Sequence, residues 1–301
     1  MTDHASDIPD DGPLAGLLTA LDLTDTGART SEDISTGPSQ WMPMGRVFGG
    51  QVLAQSLVAA MRTTEADRRP HSMHGYFLRP GDVTKPITFS VDRIHDGRSF
   101  STRRTQAYQD GRPILSMIAS FQDTDEGLEH QAPMPEGIPE PESLPSARDV
   151  LSRIDHPVAA HWANDRPFDM RHVEQPVYFG AAPDRVAHQA VWIRAIGRLP
   201  DDPAVHLASL AYASDYSILE SIYRRHGLSW ATPGIKAASL DHAMWFHRFG
   251  RADEWMLYVQ ESTSAQGGRG LSLGRIYSRD GELLASVAQE GMVRVPAQPR
   301  D

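Results

Sequence analysis

The chain has 301 residues, enough for one or two domains at about 150 residues each. Its 40% hydrophobic and 23% charged residues fit an ordinary globular protein and exclude wholesale disorder. A formal net charge of −10 argues against nucleic-acid binding, which needs Lys and Arg to neutralise phosphates. The lack of any cysteine removes disulfides, thiolate metal sites and cysteine nucleophiles.

The acidic start, with Asp3, Asp7, Asp10 and Asp11, lacks the basic and apolar parts of a secretory signal. No run approaches the roughly 18 apolar residues of a membrane helix, and the end, Pro299-Arg300-Asp301, is no peroxisomal address. These features predict a soluble, cytoplasmic chain. Leu14, Leu17, Leu18 and Leu21 recur at helical spacing. The glycines of Gly45-Arg46-Val47-Phe48-Gly49-Gly50 lack the Lys-Ser/Thr ending of a phosphate loop. They fit a close backbone approach at the start of a helix that continues through Leu53, Leu57, Ala60 and Met61. The period then changes to two: Ile87, Phe89 and Val91 alternate with polar residues. Strands over 99–109 and 113–122 flank the hairpin signal Asp110-Gly111.

Between Asp123 and Pro145 five prolines and several glutamates mark a linker, followed by a predicted helix from Ala147 to Trp162. A strand over Gln189–Ile196 and a helix from Val205 to Tyr223 come next. Strands over Met256–Thr263, Gly270–Tyr277 and Leu283–Val295 close the pattern, with Asp280-Gly281 as a second hairpin signal. Overlaying the halves puts His74 on His242, Arg79 on Arg248, Asp110 on Asp280 and Leu115 on Leu284, at offsets of 168–170. A duplicated α+β plan follows, each half a helix and then an antiparallel meander. The units are 14–122 and 166–296, with the linker and its helix at 123–165.

Asp215 is the first candidate for chemistry. On a helix its neighbours three and four residues away are Ala211, Tyr212, Ile218 and Leu219, so the carboxylate falls on an apolar stripe that should perturb its pKa. The competing reading makes it an N-cap for a helix beginning at Tyr216. His71, His74, His242 and His247 match no zinc spacing and read as structural hydrogen-bonding groups. Gly270-Leu271-Ser272-Leu273-Gly274 imitates a nucleophile elbow, but it runs into a strand and no histidine follows His247.

Several blocks in order carry a likeness: Arg46-Val47-Phe48-Gly49-Gly50-Gln51, His71 through Asp82, Asp96-Gly97-Arg98-Ser99-Phe100, Asp241 through Arg248, and Gln289-Glu290-Gly291. Through them the chain, from about 14 to 295, resembles the acyl-CoA thioesterase II family. That resemblance implies a double hotdog fold and hydrolysis of fatty acyl-CoA to free acid and CoA without a covalent intermediate. It places the family's catalytic Asp, Ser/Thr and Gln on Asp215, Ser239 and Gln289, where many members have Thr in place of Ser239. It calls for no metal or cofactor and suggests a homo-oligomer, dimer or tetramer. In the proposed chemistry Asp215 takes a proton from water that Ser239 and Gln289 hold, and backbone amides at the second unit's helix polarise the carbonyl.

The first unit shows no counterpart of this set, since Gln289 overlays Ser120, and one active site per chain is expected, with the first unit enclosing ligand. Arg79, Arg98, Arg103, Arg104 and Arg269 are candidates for CoA phosphates, unranked. Two alternatives compete. A hotdog enoyl-CoA hydratase needs an Asp–His pair, and the spacing from Asp241 to His247 misses by one residue. A non-catalytic acyl-CoA sensor would be favoured by loss of the catalytic set, which is retained.

Overall fold

The computed structural model describes residues 12–28 and 30–296; the acidic N-terminal signal reading and the C-terminal Pro-Arg-Asp lie outside them. Helix α1 (Pro13–Leu21) opens with Pro13 in its first turn and buries Leu14, Leu17 and Leu21. After β1 (Thr24–Asp25) and β2 (Asp33–Gly37) comes α2 (Gly49–Met61), buried from Gly50 to Ala60. A helix covered on all sides needs small or apolar residues all round, and Ala54, Leu57, Ala59 and Ala60 supply them. Strands β3 (Arg69–Phe77), β4 (Ile87–Asp96), β5 (Phe100–Gln109) and β6 (Arg112–Gln122) pack around it. Asp110 and Gly111 both take positive φ (49° and 69°), the turn geometry that their dipeptide predicts between β5 and β6.

The proline-rich stretch forms no strand and only a 3-10 turn at Pro141–Ser143. It is strapped onto the second half of the sheet. Trp192 donates to the Pro139 carbonyl (2.9 Å), Tyr277 to that of Pro133 (3.1 Å), and Leu283 N–H to Gln131 (3.0 Å). Met134, Ile138 and Leu144 cover a small core built on Trp192, Trp255 and Tyr277. The helix expected over Ala147–Trp162 is two: α3 (Ala147–Leu151), closed by a Ser146–Asp149 capping box, and α4 (Pro157–Asn164). Pro157 is the reason, because it forces His156 into extended backbone (φ −154°, ψ 132°) and ends any helix before it.

Strands β7 (Phe168–His172) and β8 (His188–Ala195) lead to a second correction. The helix expected over Val205–Tyr223 is α5 (Pro203–Ser214) and α6 (Glu220–His226), interrupted from Asp215 to Leu219. Asp202 caps α5, donated to by Ala204 N–H (2.9 Å), and Gly227 in the left-handed region (φ 64°) ends α6. Strands β9 (Lys236–Ser239), β10 (Asp241–Phe246), β11 (Met256–Gln266), β12 (Arg269–Ser278) and β13 (Leu283–Arg294) complete the chain. No described helix is long and apolar enough to cross a membrane.

All strands join one antiparallel sheet in the order β1-β2-β4-β5-β6-β3-β10-β13-β12-β11-β8-β7, with β9 added to β13. The halves meet where β3 pairs β10, Ala243 opposite His74. On the inner side α2 packs along α5, while α6 packs on β8, β11 and β12. The α+β plan of helix and meander in each half is therefore as expected. The overlay of the two histidines is not. His242 points into the core and His74 out towards solvent, stacked on Tyr76. Because side chains alternate along a strand, the inward counterpart of His242 sits at an odd offset, and Met73 fills that place. Met73 lies opposite Ala119 on β6, just as His242 meets Gln289 on β13, so Gln289 corresponds to Ala119 rather than to Ser120.

Candidate active site

The site forms where the start of α2 meets the end of α5. Two glycines allow the approach. A Cβ on Gly49 would lie 2.6 Å from Asp215 Oδ2, and one on Gly50 would collide with the Tyr212 carbonyl and, at 2.5 Å, with the Phe48 ring. Asp215 stands at the C-cap of α5, so it closes that helix and is not the N-cap of a following one. Its carboxylate is largely covered by protein and lines a cavity of about 330 Å³ with Ser239, Phe48, Tyr216 and Trp230. Burial raises its pKa to about 6, against the opposing pull of hydrogen bonds from Gln289, the Gly50 N–H and Ser239.

The three residues singled out from the sequence come from different elements and meet here. Ser239 ends β9, whose pairing with β13 sets Ser239 opposite Gly291. Ser239 Oγ donates to Asp215 Oδ1 at 3.3 Å, and Gln289 Nε2 donates to Ser239 Oγ at 2.9 Å. Behind them lies a residue that the sequence reading assigned only to architecture. His242 Nδ1 faces Gln289 Oε1, and its Nε2 lies 2.9 Å from Ser214 Oγ. Burial lowers its pKa to about 4, so the imidazole is neutral near pH 7. With the proton on Nδ1, that neutral ring donates to Gln289 Oε1, while its Nε2 faces Ser214 Oγ, which also reaches the Ala211 carbonyl (2.8 Å). The amide then has one orientation, oxygen towards His242 and nitrogen towards Ser239. Only the Asp-His dipeptide at the head of the β10 block hinted at this, and its pairing with Gln289 is a sheet contact between distant segments.

The backbone N–H facing Asp215 is that of Gly50, on α2 of the first half. Residues of both halves therefore line the cavity beside Asp215. The five arginines proposed for phosphates do not line this cavity. Arg103 is buried against Asp96 (2.6 Å), Arg104 pairs with Asp92 (3.0 Å) and Arg269 with Glu290 (3.0 Å). Arg79 donates to the Pro113 carbonyl (2.8 Å), and Arg98 is exposed. Arg46 and Arg166 line the cavity instead.

The hydratase pair does not form: Asp241 bonds His74 (3.0 Å) and the Glu290 N–H (2.7 Å), while His247 bonds Ser286 (2.9 Å). Ser272 of the false elbow sits in mid-strand on β12, bonded to Ser221 (2.9 Å).

Comparison with known proteins gives a consistent result. The family described as acyl-CoA thioesterase matches residues 160–292, and that described as acyl-CoA thioesterase N-terminal domain matches 38–122. The chain is 38% identical over 267 residues to acyl-CoA thioesterase 2 of Haemophilus influenzae, covering 87% of this chain and 92% of that one. The solved acyl-CoA thioesterase II of Mycobacterium marinum superposes with a TM-score of 0.76 at 40% identity, over 95% of this chain and all of the other. A protein of Alicyclobacillus acidocaldarius described as having a hot dog fold matches with a TM-score of 0.76 at 20% identity, over 94% and 99% of the two chains, a likeness of fold alone.

Proposed function

The chain belongs to the acyl-CoA thioesterase family, with a double hotdog α+β fold, and from that premise we propose how it works. It hydrolyses acyl-CoA thioesters. In our reading Asp215 is the general base, and Ser239 and Gln289 hold the attacking water against it. The amides at the start of α2 polarise the thioester carbonyl. A thioester is electrophilic enough that no nucleophilic side chain is required. Water adds to the carbonyl carbon as Asp215 takes its proton, the tetrahedral adduct expels CoA thiolate, and the proton passes from Asp215 to that sulfur. The products are the free acid and CoA.

The observation that carries this is the enclosed Asp215 carboxylate, tied to Ser239 and Gln289 beside the helix start and opening on a cavity. A base with a pKa of about 6 is mostly ionised at pH 7 yet still basic enough to accept a proton. One site per chain follows in the same reading, because the first half holds Met73 and Ala119 where the second holds His242 and Gln289. The units 14–122 and 166–296, joined by 123–165, are part of it. So are a cytoplasmic setting and a fatty acyl group, which the walls of Val47, Phe48, Leu219 and Trp230 suit.

The test is CoA release from a panel of acyl-CoAs, short to long, followed against pH. The expected kcat/KM rises about tenfold per pH unit below an apparent pKa near 6 and levels above it, since only the ionised carboxylate can accept a proton. A profile flat from pH 4.5 to 8 would remove Asp215 as the base. Absence of turnover with any chain length would remove the enzymatic reading.

We also propose that the chain assembles through the outer face of the sheet near the β3–β10 seam, where Tyr76, Ile118 and Trp245 are exposed. Light scattering should then give the mass of a dimer or tetramer at micromolar concentration. A monomer mass there would overturn it.

A further inference from the structure

Arg166 follows α4 and lines the same cavity as Asp215. The covered arginines elsewhere have carboxylate partners: Arg103 with Asp96 (2.6 Å), Arg224 with Asp184 (2.6 Å), Arg171 with Asp169 (2.9 Å) and Arg251 with Asp253 (2.8 Å). Arg166 has none within ion-pair distance among the described residues. Aromatic rings surround it instead. Its guanidinium carbon lies 4.8 Å from the centre of Trp162, 4.9 Å from Tyr216 and 5.8 Å from Tyr178. Its polar contact is Nη1 with Met170 Sδ at 3.9 Å.

Two carboxylates share the cavity with it, and both are engaged: Asp165 with His161 (2.7 Å) and Asp215 with Ser239. A cation half-removed from water without a counter-charge is costly, and stacking on rings recovers only part of that cost. The same rings fix the plane of the guanidinium, and among the described residues its only hydrogen bond is the long one to Met170. A planar fork of that kind matches the paired oxygens of a carboxylate or a phosphate. The cavity is at the small end of ligand pockets, so only part of an acyl-CoA fits within it.

We propose that Arg166 is a substrate-binding residue for an anionic oxygen group of the acyl-CoA, either a carboxylate at the far end of the acyl chain or a phosphate of CoA. The proposal rests on the thioesterase reading and narrows its substrate. Three esters with acyl chains of one length separate the two sources: the acyl-CoA, the same acyl group on pantetheine without phosphates, and the ω-carboxyacyl-CoA. Wild type, Arg166→Met and Arg166→Lys are compared on each, with melting temperatures to confirm that both variants fold.

Losing a charge-assisted hydrogen bond to substrate should lower kcat/KM by about 10- to 100-fold, chiefly through KM, with partial recovery in Arg166→Lys. Loss in Arg166→Met on both CoA esters but not on the pantetheine ester assigns a CoA phosphate. Loss confined to the ω-carboxyacyl-CoA assigns the acyl terminus. Equal loss on all three esters makes Arg166 a prop for the aromatic wall and overturns the proposal, as does no loss on any. If wild type hydrolyses none of the three, the thioesterase reading fails first, a result distinct from either.

Discussion

Asp215→Asn should lower kcat for acyl-CoA hydrolysis by about 10²–10⁴-fold, the share that a positioned general base supplies, while making the folded protein more stable above pH 6. The second half of that expectation comes from burial. The carboxyl group titrates at about 6 in the folded chain against 3.8 when unperturbed. Below 3.8 both states are protonated and nothing is lost. Between the two values the folded state holds the proton more tightly, so stability falls as pH rises through this window, and above 6 the whole penalty is present. Its size is on the order of 1–3 kcal/mol, towards the lower end because the cavity admits water. Asparagine keeps the shape and an oxygen for the Gly50 N–H without the charge. Turnover and urea unfolding at pH 8 and pH 4 check both halves. A variant with wild-type kcat would end the general-base assignment. One that unfolds more easily than wild type at pH 8 would show that the carboxylate is stabilised, not strained, where it sits.

Such trading of stability for a reactive group also explains which parts of this molecule could be read in its sequence. The alternation of Ile87, Phe89 and Val91 and the turns at Asp110-Gly111 and Asp280-Gly281 are local signals, and the strands they predict are present within a few residues. The interruption of α5 at Asp215 is not local. Tyr216, Ile218 and Leu219 keep the helical spacing, and the carboxylate at the end of α5 is held by Ser239 from a distant strand, a contact no local pattern reveals. His74 and His242 look alike in a linear overlay yet face opposite sides of the sheet, because an offset wrong by one residue inverts every side chain. Asp215 stands out by its apolar helical neighbours, whereas Ser239 and Gln289 are legible only through family likeness. Their mutual contacts, and the place of His242 behind Gln289, depend on β9 and β10 both adding to β13. Arg166 had one faint local sign, Trp162 four residues earlier, whereas its other rings come from Tyr178 and Tyr216.

The crossing of α2 and α5 yields the other large effect. In Gly50→Ala the new methyl group meets the Tyr212 carbonyl oxygen, a backbone atom of the opposite helix, and the Phe48 ring. Phe48 has little room to retreat, being stacked on Tyr216 with centroids 4.8 Å apart. Relief therefore requires the helices to separate, at an overpacking cost of about 1–3 kcal/mol. Alanine would otherwise favour the helix over glycine by about 1 kcal/mol, so a net loss in stability would itself show that the clash prevails. Separation also draws the Gly50 N–H away from Asp215 and the α2 amides away from the carbonyl they polarise. Removal of a single donor at an oxyanion typically costs 10²–10³-fold in kcat. A partial displacement should cost about 10- to 100-fold, measured at a temperature where the variant is fully folded. Gly49→Ala, whose methyl group would press on Asp215 itself and not on α5, should lose turnover with a smaller change in melting temperature. If Gly50→Ala instead matches wild type in both stability and turnover, the helices do not meet this closely, and the first half loses its part in the reaction.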